Sequence, residues 1–216
     1  TASAIQLRGM PKRYSTVYID GVKMSDPSSV SGDFDFNNIL TSQVSSVEIL
    51  KGNQSSVYGS GAIGGTIHII TKKGKPGFSK NFQYFAGSHD THNLSSSLSG
   101  GNEKSTYYFG LQRFQTDGIS QMTHNDEKDR YRNNGLIASL NNKFTDSLEL
   151  QSNARISETY LQYDAACVTD GLFGCSSAYD HAEEADGVES SYNLSLIHKP
   201  IDKLTNKFTF SNTYIK

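Results

Sequence analysis

The sequence predicts a small α+β domain followed by all-β antiparallel transmembrane strands of an incomplete barrel. Two observations lead to this fold class. Short β-prone runs and a glycine-rich segment occupy the first part of the chain, whereas long segments of alternating apolar and polar residues follow Gly77. Such alternation indicates strands with one apolar and one polar face. The connections between these segments are short and long in turn, which is typical of outer-membrane barrels.

The first domain is expected to contain a hairpin and two short helical turns. Residues 16–19 and 22–24 flank Asp20-Gly21, a pair that favours a two-residue type I′ turn. A further short strand is expected at residues 4–7. Asp33 or Asp35 is expected to cap a short helix at residues 36–40. Residues 55–58 are expected to form one helical turn that ends at Gly59.

The centre of this domain is the glycine-rich segment at residues 44–74. The spacing Gly59-x-Gly61-x-x-Gly64 fits a dinucleotide-binding fingerprint, which requires a helix after the glycines and an acidic residue about 20 positions further on. A β-prone run follows instead, and Gln83 and Tyr84 stand where the acid is required. We therefore reject nucleotide binding and assign the glycines to close packing of backbone.

Seven alternating strands are expected in the second domain. They lie near residues 78–86, 93–99, 106–116, 133–144, 148–163, 190–199 and 207–215. No apolar run approaches the ~18 residues of a transmembrane helix, but a barrel strand needs only ~10 alternating residues. The net charge is −2, so no overall positive field indicates nucleic acid as a partner.

Several motifs resemble the plug domain of TonB-dependent outer-membrane receptors. They are VEILKG at 47–52, QSSVYGSGAIGG at 54–65 and IHIITKKG at 67–74, preceded in the family's order by motifs at residues 7–9 and 18–22. The resemblance implies the C-terminal part of a plug at residues 1–77 and the first barrel strands at residues 78–216. Because Thr1 is not an initiator methionine, we expect an export signal and a TonB-contact segment upstream.

The resemblance also implies a function. It implies active transport of a scarce nutrient complex across the outer membrane of a Gram-negative bacterium, with the lipid bilayer and the TonB energy-transducing complex as partners. No enzyme is expected, since no nucleophile, base and orienting group stand in a credible order. Within the family, similar segments at residues 116–118, 142–147 and 162–165 make the cobalamin receptor the most similar member. Cobalamin is therefore the first expectation for the substrate, and an iron–siderophore is the alternative.

The resemblance assigns roles to several residues. In the family, the basic residues that match Arg8 and Lys51 face carboxylates of the barrel wall and hold the plug in place, because an unpaired buried cation is costly. A solvated strand-end charge is the alternative for Arg8. Since the compartment would be oxidising, Cys167 and Cys175 are expected to form a disulfide.

A calcium ion is the only cofactor that the resemblance suggests. Calcium takes several carboxylate and carbonyl oxygens as ligands. The proposed calcium ligands are Asp126, Asp129, Tyr163 and Asp164. Ordinary solvated loop charges are the alternative explanation of these acids.

The competing interpretation is a soluble β-sandwich that serves as a binding or adhesion module. It would bury the apolar face of residues 148–157 in a core, whereas a barrel turns that face to lipid. The apolar face comprises Leu148, Leu150, Ala154 and Ile156, and the opposite face comprises Glu149, Gln151, Asn153 and Arg155.

Overall fold

The computed structural model describes residues 5–25, 34–119, 128–164 and 182–216. These residues form a four-stranded sheet and a seven-stranded sheet, joined by residues 72–76. No helix within the described residues is both long and apolar enough to cross a membrane.

The first sheet is mixed and has the strand order β2-β1-β4-β3. β1 pairs antiparallel with β2 and parallel with β4, and β3 pairs antiparallel with β4. Its strands are β1 (Ser15–Ile19), β2 (Val22–Met24), β3 (Val44–Lys51) and β4 (Gly65–Thr71). One α-helical turn, α1 (Ser55–Tyr58), and four 3₁₀ turns (Lys12–Tyr14, Phe36–Asn38, Thr41–Gln43 and Ser60–Ala62) complete this domain.

The core of this domain lies on one face of the sheet. Apolar side chains alternate along β1 and β4, so that every second residue points to the same side. The buried apolar residues are Leu7, Val17, Ile19, Val22, Met24, Phe34, Ile67 and Ile69. The domain therefore has its own hydrophobic core and does not depend on the second sheet for one.

The turns of the first domain follow the sequence prediction in most places. Asp20 and Gly21 have φ angles of 50° and 83°, as a type I′ hairpin requires. Gly59 ends α1 with a φ of 87°. The carboxylate of Asp35 caps the turn Phe36–Asn38 by accepting from the Asn37 backbone N–H at 3.0 Å. That turn is one 3₁₀ turn and ends earlier than residue 40.

The prediction of a strand at residues 4–7 is wrong for the described residues 5–7, which form no strand. Arg8 and Gly9 follow with φ angles of 55° and 72°, so the chain turns away before a strand can pair. Gly65 supports the assignment of the glycines to packing, because an added Cβ would lie 2.4 Å from the Leu50 carbonyl oxygen.

The second sheet is a wall of seven strands, each paired antiparallel with the next along the chain. The strands are β5 (Gly77–Gly87), β6 (Thr91–Gly101), β7 (Ser105–Thr116), β8 (Tyr131–Thr145), β9 (Leu148–Asp164), β10 (Ala182–Ile201) and β11 (Leu204–Ile215). Residues 102–104, 146–147 and 202–203 connect strands at one end, and residues 88–90, 117–130 and 165–181 at the other.

β10 begins earlier than the sequence predicts. Residues 182–189 were expected in a long loop, yet they pair with residues 157–164 of β9. Strand β9 is 17 residues long. Without a partner, the backbone N–H and C=O groups at the end of β9 would be unpaired. Pairing with β10 supplies their hydrogen bonds.

The two faces of the wall differ in polarity, and the polar face is the buried one. On β10, Ser191, Asn193 and Ser195 are 2–7% exposed, whereas Tyr192, Leu194 and Leu196 are 37–45% exposed. Among the described residues of the wall, the buried positions are polar except for Tyr108, Ile137 and three glycines. A soluble sandwich would bury the apolar face, so the sandwich interpretation is wrong.

Candidate functional site

The first domain packs against the polar face of the wall, and this interface is the candidate functional site. Within the described residues, two parts of the first domain form hydrogen bonds with the wall. The hairpin turn does so through Asp20, whose carbonyl oxygen accepts from Asn193 Nδ2 at 3.0 Å. The second part is the segment 34–43, which carries the 3₁₀ turn Phe36–Asn38 and is called the docking segment below.

A buried ion pair stands at the centre of the interface. Arg155 on β9 and Glu189 on β10 pair through Nη1 and Oε1, and their side chains are 5% and 3% exposed. They occupy a diagonal position on neighbouring strands, because Glu189 lies opposite Ser157 and Arg155 opposite Ser191. Diagonal neighbours on one face of a sheet are within reach of long side chains.

Asn38 of the docking segment joins both members of this pair. Its backbone carbonyl oxygen accepts from Arg155 Nη2, and its side-chain Nδ2 donates to Glu189 Oε2 at 3.2 Å. A buried charge needs hydrogen bonds on all sides to offset its desolvation. The ion pair of the wall is therefore completed by the docking segment.

The neighbouring carbonyl of Asn37 is held in the same way. It accepts from Tyr131 Oη at 2.7 Å and from Asn133 Nδ2 at 3.3 Å. Ser157 Oγ contacts the Asn38 carbonyl at 3.3 Å and Asn133 Oδ1 at 3.1 Å. The last carbonyls of a one-turn helix have no partner within the helix. Here the wall supplies those partners.

Two further contacts fix the other half of the docking segment. Ser42 Oγ donates to Gln112 Oε1 on β7. Gly135 on β8 allows Leu40 and Gln43 to approach the wall, because an added Cβ there would lie 2.6 Å from Gln43 Nε2 and 2.8 Å from Leu40 Cδ1. The glycine is required for close approach.

Aromatic side chains line the polar face beyond the docking segment, toward the long connections. Phe114 and Tyr131 lie with ring centroids 5.9 Å apart. The register places Phe114 opposite the buried Asn133, and Leu161 opposite Tyr131, so all of them share the inward face. Tyr163 follows two residues after Leu161 on the same strand and the same face.

A second aromatic cluster lies on the first sheet. Tyr18 of β1 stacks on His68 of β4 at 5.0 Å, and Tyr58 lies 5.2 Å from Tyr18. Burial, with a smaller contribution from Tyr58, raises the pKa of Tyr18. The hydroxyl of Tyr18 is therefore neutral over the physiological range. The cluster packs the side of the sheet opposite the core.

Arg8 and Lys51 lie close together at one edge of the first sheet. Arg8 Nη1 is 3.9 Å from where a Cβ on Gly52 would lie, and Lys51 is the last residue of the edge strand β3. Neither makes an ion pair within the part of the chain that the structure describes. Their locking role stays a prediction.

The calcium and disulfide predictions fall largely outside the described residues. Asp126, Cys167, Cys175 and the side chain of Asp164 lie there. Tyr163 is half-buried on β9, and Asp129 precedes β8. Within the described ranges, no three His, Cys, Asp or Glu residues form a group that could hold a metal ion. Both predictions stay untested.

Sequence reasoning missed most of the docking contacts. It placed Arg155 on the inward face but assigned Glu189 to a loop, and it gave Asn38 and Asn133 no role. One signal was available. A lone arginine on a face that is buried requires a carboxylate nearby, and Glu189 is an acid on the next strand.

Comparison with known proteins identifies this architecture. Residues 1–66 match the family model described as TonB-dependent Receptor Plug Domain. A double mutant of the ferric enterobactin receptor PfeA from Pseudomonas aeruginosa matches 96% of this chain with a TM-score of 0.74 and 20% identity. The siderophore receptor PirA from Acinetobacter baumannii matches 96% with a TM-score of 0.76 and 17% identity. The ferric-catecholate import receptor Fiu from E. coli K12 matches 98% with a TM-score of 0.73 and 19% identity.

These matches show the fold. The chain spans about a third of each of these structures, 34%, 33% and 33% respectively. Its described residues form a small domain that matches the plug model, followed by seven antiparallel strands that form an open wall. The predicted fold class is confirmed.

Proposed function

We propose that this chain is part of a TonB-dependent receptor that transports a nutrient complex across the outer membrane of a Gram-negative bacterium. The plug comprises residues 1–77 and the wall residues 78–216. One observation carries the proposal: the wall buries its polar face against the plug and leaves its apolar face outward. Lipid is the environment that accepts an apolar outer face over seven strands. The match of residues 1–66 to the plug model supports the same assignment.

The interface suggests how the plug is held and released. The hydrophobic core of the plug lies within the plug, and hydrogen bonds at Asp20, Asn37, Asn38 and Ser42 join the plug to the wall. Water can replace such bonds when the plug moves, and each contributes only about 0.5–3 kcal/mol net. The TonB complex is the proposed source of a pulling force on the plug. Such a force would break the polar contacts between plug and wall while the hydrophobic core of the plug stays folded.

For the substrate we favour an iron–siderophore over cobalamin. The three matched proteins are described as receptors for ferric enterobactin, siderophore and ferric catecholate, and they give no support to the cobalamin expectation. In this chain, Phe114, Tyr131 and Tyr163 form an aromatic surface on the inward face above the docking segment. Aromatic rings stack well on planar aromatic ligand groups such as catechols.

Uptake by cells tests this proposal. The full-length protein is expressed in a host that lacks its own siderophore and cobalamin receptors, and uptake of radiolabelled ferric enterobactin and of cobalamin is compared. We expect uptake of the iron complex, abolished when the host lacks a functional TonB complex. Uptake of cobalamin alone, or uptake that is independent of TonB, would overturn the proposal.

Two variants locate the substrate surface. Phe114→Ala removes an inward aromatic ring, and Phe109→Ala removes an outward ring from the same strand. Loss of one ring that stacks on the ligand is expected to weaken substrate binding by about 1 kcal/mol, or roughly fivefold. Phe109→Ala should leave affinity unchanged. Equal effects of the two substitutions would remove Phe114 from the substrate surface.

A further inference from the structure

Tyr131 on β8 belongs to two parts of the molecule at once. Its ring lies 5.9 Å from the Phe114 ring in the aromatic surface of the inward face. Its hydroxyl donates to the Asn37 carbonyl oxygen of the docking segment at 2.7 Å. Phe114 has no polar side-chain atom, and no hydrogen bond within the described residues joins Tyr163 to the docking segment. Among these three aromatic residues, Tyr131 is therefore the one whose described contacts connect the aromatic surface to the plug.

A buried amide fixes the position of the Tyr131 hydroxyl. Asn133 Nδ2 donates to Tyr131 Oη at 3.0 Å and to the Asn37 carbonyl oxygen at 3.3 Å. Asn133 is 0% exposed, and its Oδ1 accepts from Ser157 Oγ at 3.1 Å. A buried polar group whose hydrogen bonds are satisfied is held rigidly. The Tyr131 hydroxyl is therefore held between the wall and the plug.

The ion pair of the wall contacts the same docking segment at a distance from the Tyr131 ring. Asn38 Nδ2 donates to Glu189 Oε2 at 3.2 Å. Glu189 lies opposite Ser157 on β9, four positions before Leu161, which lies opposite Tyr131. Four positions correspond to about 13 Å along the strand, and β9 lies between the strands of the two residues. A substitution of Glu189 therefore reaches the Tyr131 ring through the docking segment and not by direct contact.

The docked plug restricts the Tyr131 side chain. While the docking segment is in place, the hydroxyl has both an acceptor and a donor as partners. When the segment leaves, the Asn37 carbonyl oxygen leaves with it, and the side chain regains rotational freedom. Ordering a side chain at the binding step costs free energy, so a ring that is already fixed binds a planar ligand more tightly. Undocking of the plug should therefore weaken substrate binding at this ring.

We propose that Tyr131 is a positioning residue that couples docking of the plug to retention of the substrate. Substrate binding and docking strengthen each other through the Tyr131 hydroxyl, so the force that removes the docking segment also lowers substrate affinity. Such coupling is reciprocal, because the substrate stabilises the docked segment by the same factor by which the docked segment raises substrate affinity. This inference rests on the proposed function, because that function places an aromatic group of the substrate on this surface.

Hydrogen exchange of the purified full-length protein, with and without saturating ferric enterobactin, tests the coupling. The amides of residues 36–43 report the docking of the segment. Tyr131→Phe keeps the ring and removes the hydroxyl. The matched control is Tyr160→Phe on β9, which removes an outward hydroxyl that donates to Glu184 Oε1 at 2.7 Å. Folding of each variant is checked by the migration of unheated protein on a gel.

We expect ferric enterobactin to raise the protection of these amides about fivefold in the wild type and in Tyr160→Phe, the effect of about one hydrogen bond. In Tyr131→Phe the ligand should leave protection unchanged. A merely structural role of the hydroxyl would lower protection by the same factor with and without ligand. An equal ligand-induced rise in Tyr131→Phe would overturn the inference, and so would an unchanged or lower protection in the ligand-bound wild type.

Substrate affinity gives a second, independent measurement of the same coupling. Glu189→Leu loosens the docking segment without contacting the aromatic surface, so it should weaken ferric enterobactin binding about fivefold in the wild type. In the Tyr131→Phe background the same substitution should weaken binding by less than about twofold, because the connection is already broken. Effects of the two substitutions that simply add would contradict the coupling.

Failure of this inference differs from failure of the proposed function. A wild-type protein that binds ferric enterobactin and transports it with TonB, but shows additive effects of Tyr131→Phe and Glu189→Leu, refutes the role of Tyr131 alone. A wild-type protein that neither binds nor transports the iron complex refutes the proposed function.

Discussion

Replacing Glu189 by leucine should release the docking segment from the wall. Leucine is similar in volume to glutamate but cannot pair with Arg155, whose side chain is 5% exposed. The substitution leaves a buried guanidinium without its carboxylate and removes the acceptor of the Asn38 side chain. Breaking a buried ion pair by removing one partner typically costs about 3–5 kcal/mol.

Hydrogen exchange in the full-length protein measures this loss of docking free energy. Amides of residues 36–43 exchange when the plug undocks, so their protection reports the opening free energy. A loss of about 3 kcal/mol corresponds to roughly a hundredfold lower protection. The control is Glu103→Leu, which removes an exposed carboxylate from a short turn of the wall. Its effect should be within the error of the measurement.

A double variant distinguishes charge from packing. Arg155→Met combined with Glu189→Leu removes both charges, and such replacements are often neutral or stabilising. Protection should therefore recover most of what Glu189→Leu alone loses. Less than about a fivefold loss in the single variant, or a larger loss in the double variant, would refute the role assigned to this ion pair.

Three further predictions concern the wall and its long connections. Ile156→Lys, on the outward face near the bilayer midplane, should destabilise the folded protein by about 2–4 kcal/mol, whereas Gln151→Lys, on the inward face, should cost much less. Chemical denaturation in lipid measures both free energies of unfolding, and equal costs would contradict the assignment of faces. Cys167 and Cys175 should form a disulfide, so non-reduced peptide mapping should find them linked, and two alkylatable thiols in the native protein would refute this. If the proposed calcium ligands converge, substrate affinity should rise with calcium and respond poorly to magnesium; identical affinities in calcium and in chelator would make these acids ordinary loop charges.

Local chemistry explains which parts of the fold the sequence predicts. The Asp20-Gly21 turn is set by two residues that tolerate positive φ, and the cap of Asp35 needs only the backbone next to it. The seven wall strands follow from alternation, which each segment carries by itself. These features depend on neighbours within a few positions in the chain.

The docking contacts depend on distant parts of the chain, and sequence alone did not supply them. Arg155 and Glu189 are 34 residues apart, and Asn38 is more than a hundred residues from either. The early start of β10 is likewise set by the length of its partner β9. The acids at residues 183–186 suggested a loop. Exposed strand ends are as polar as loops, so composition does not distinguish the two. Only the register shows which polar residues face the plug.

Accessibility along β10 tests the central claim most directly, namely that the wall turns its polar face to the plug and its apolar face to lipid. Spin labels are placed one at a time at residues 190–197 of the full-length protein in lipid bilayers, and collisions with oxygen and with a water-soluble nickel complex are measured. Labels at 192, 194 and 196 should collide with oxygen and not with nickel, whereas labels at 191, 193 and 195 should be shielded from oxygen by the plug. Absence of this two-residue alternation, or the opposite alternation, would contradict the account.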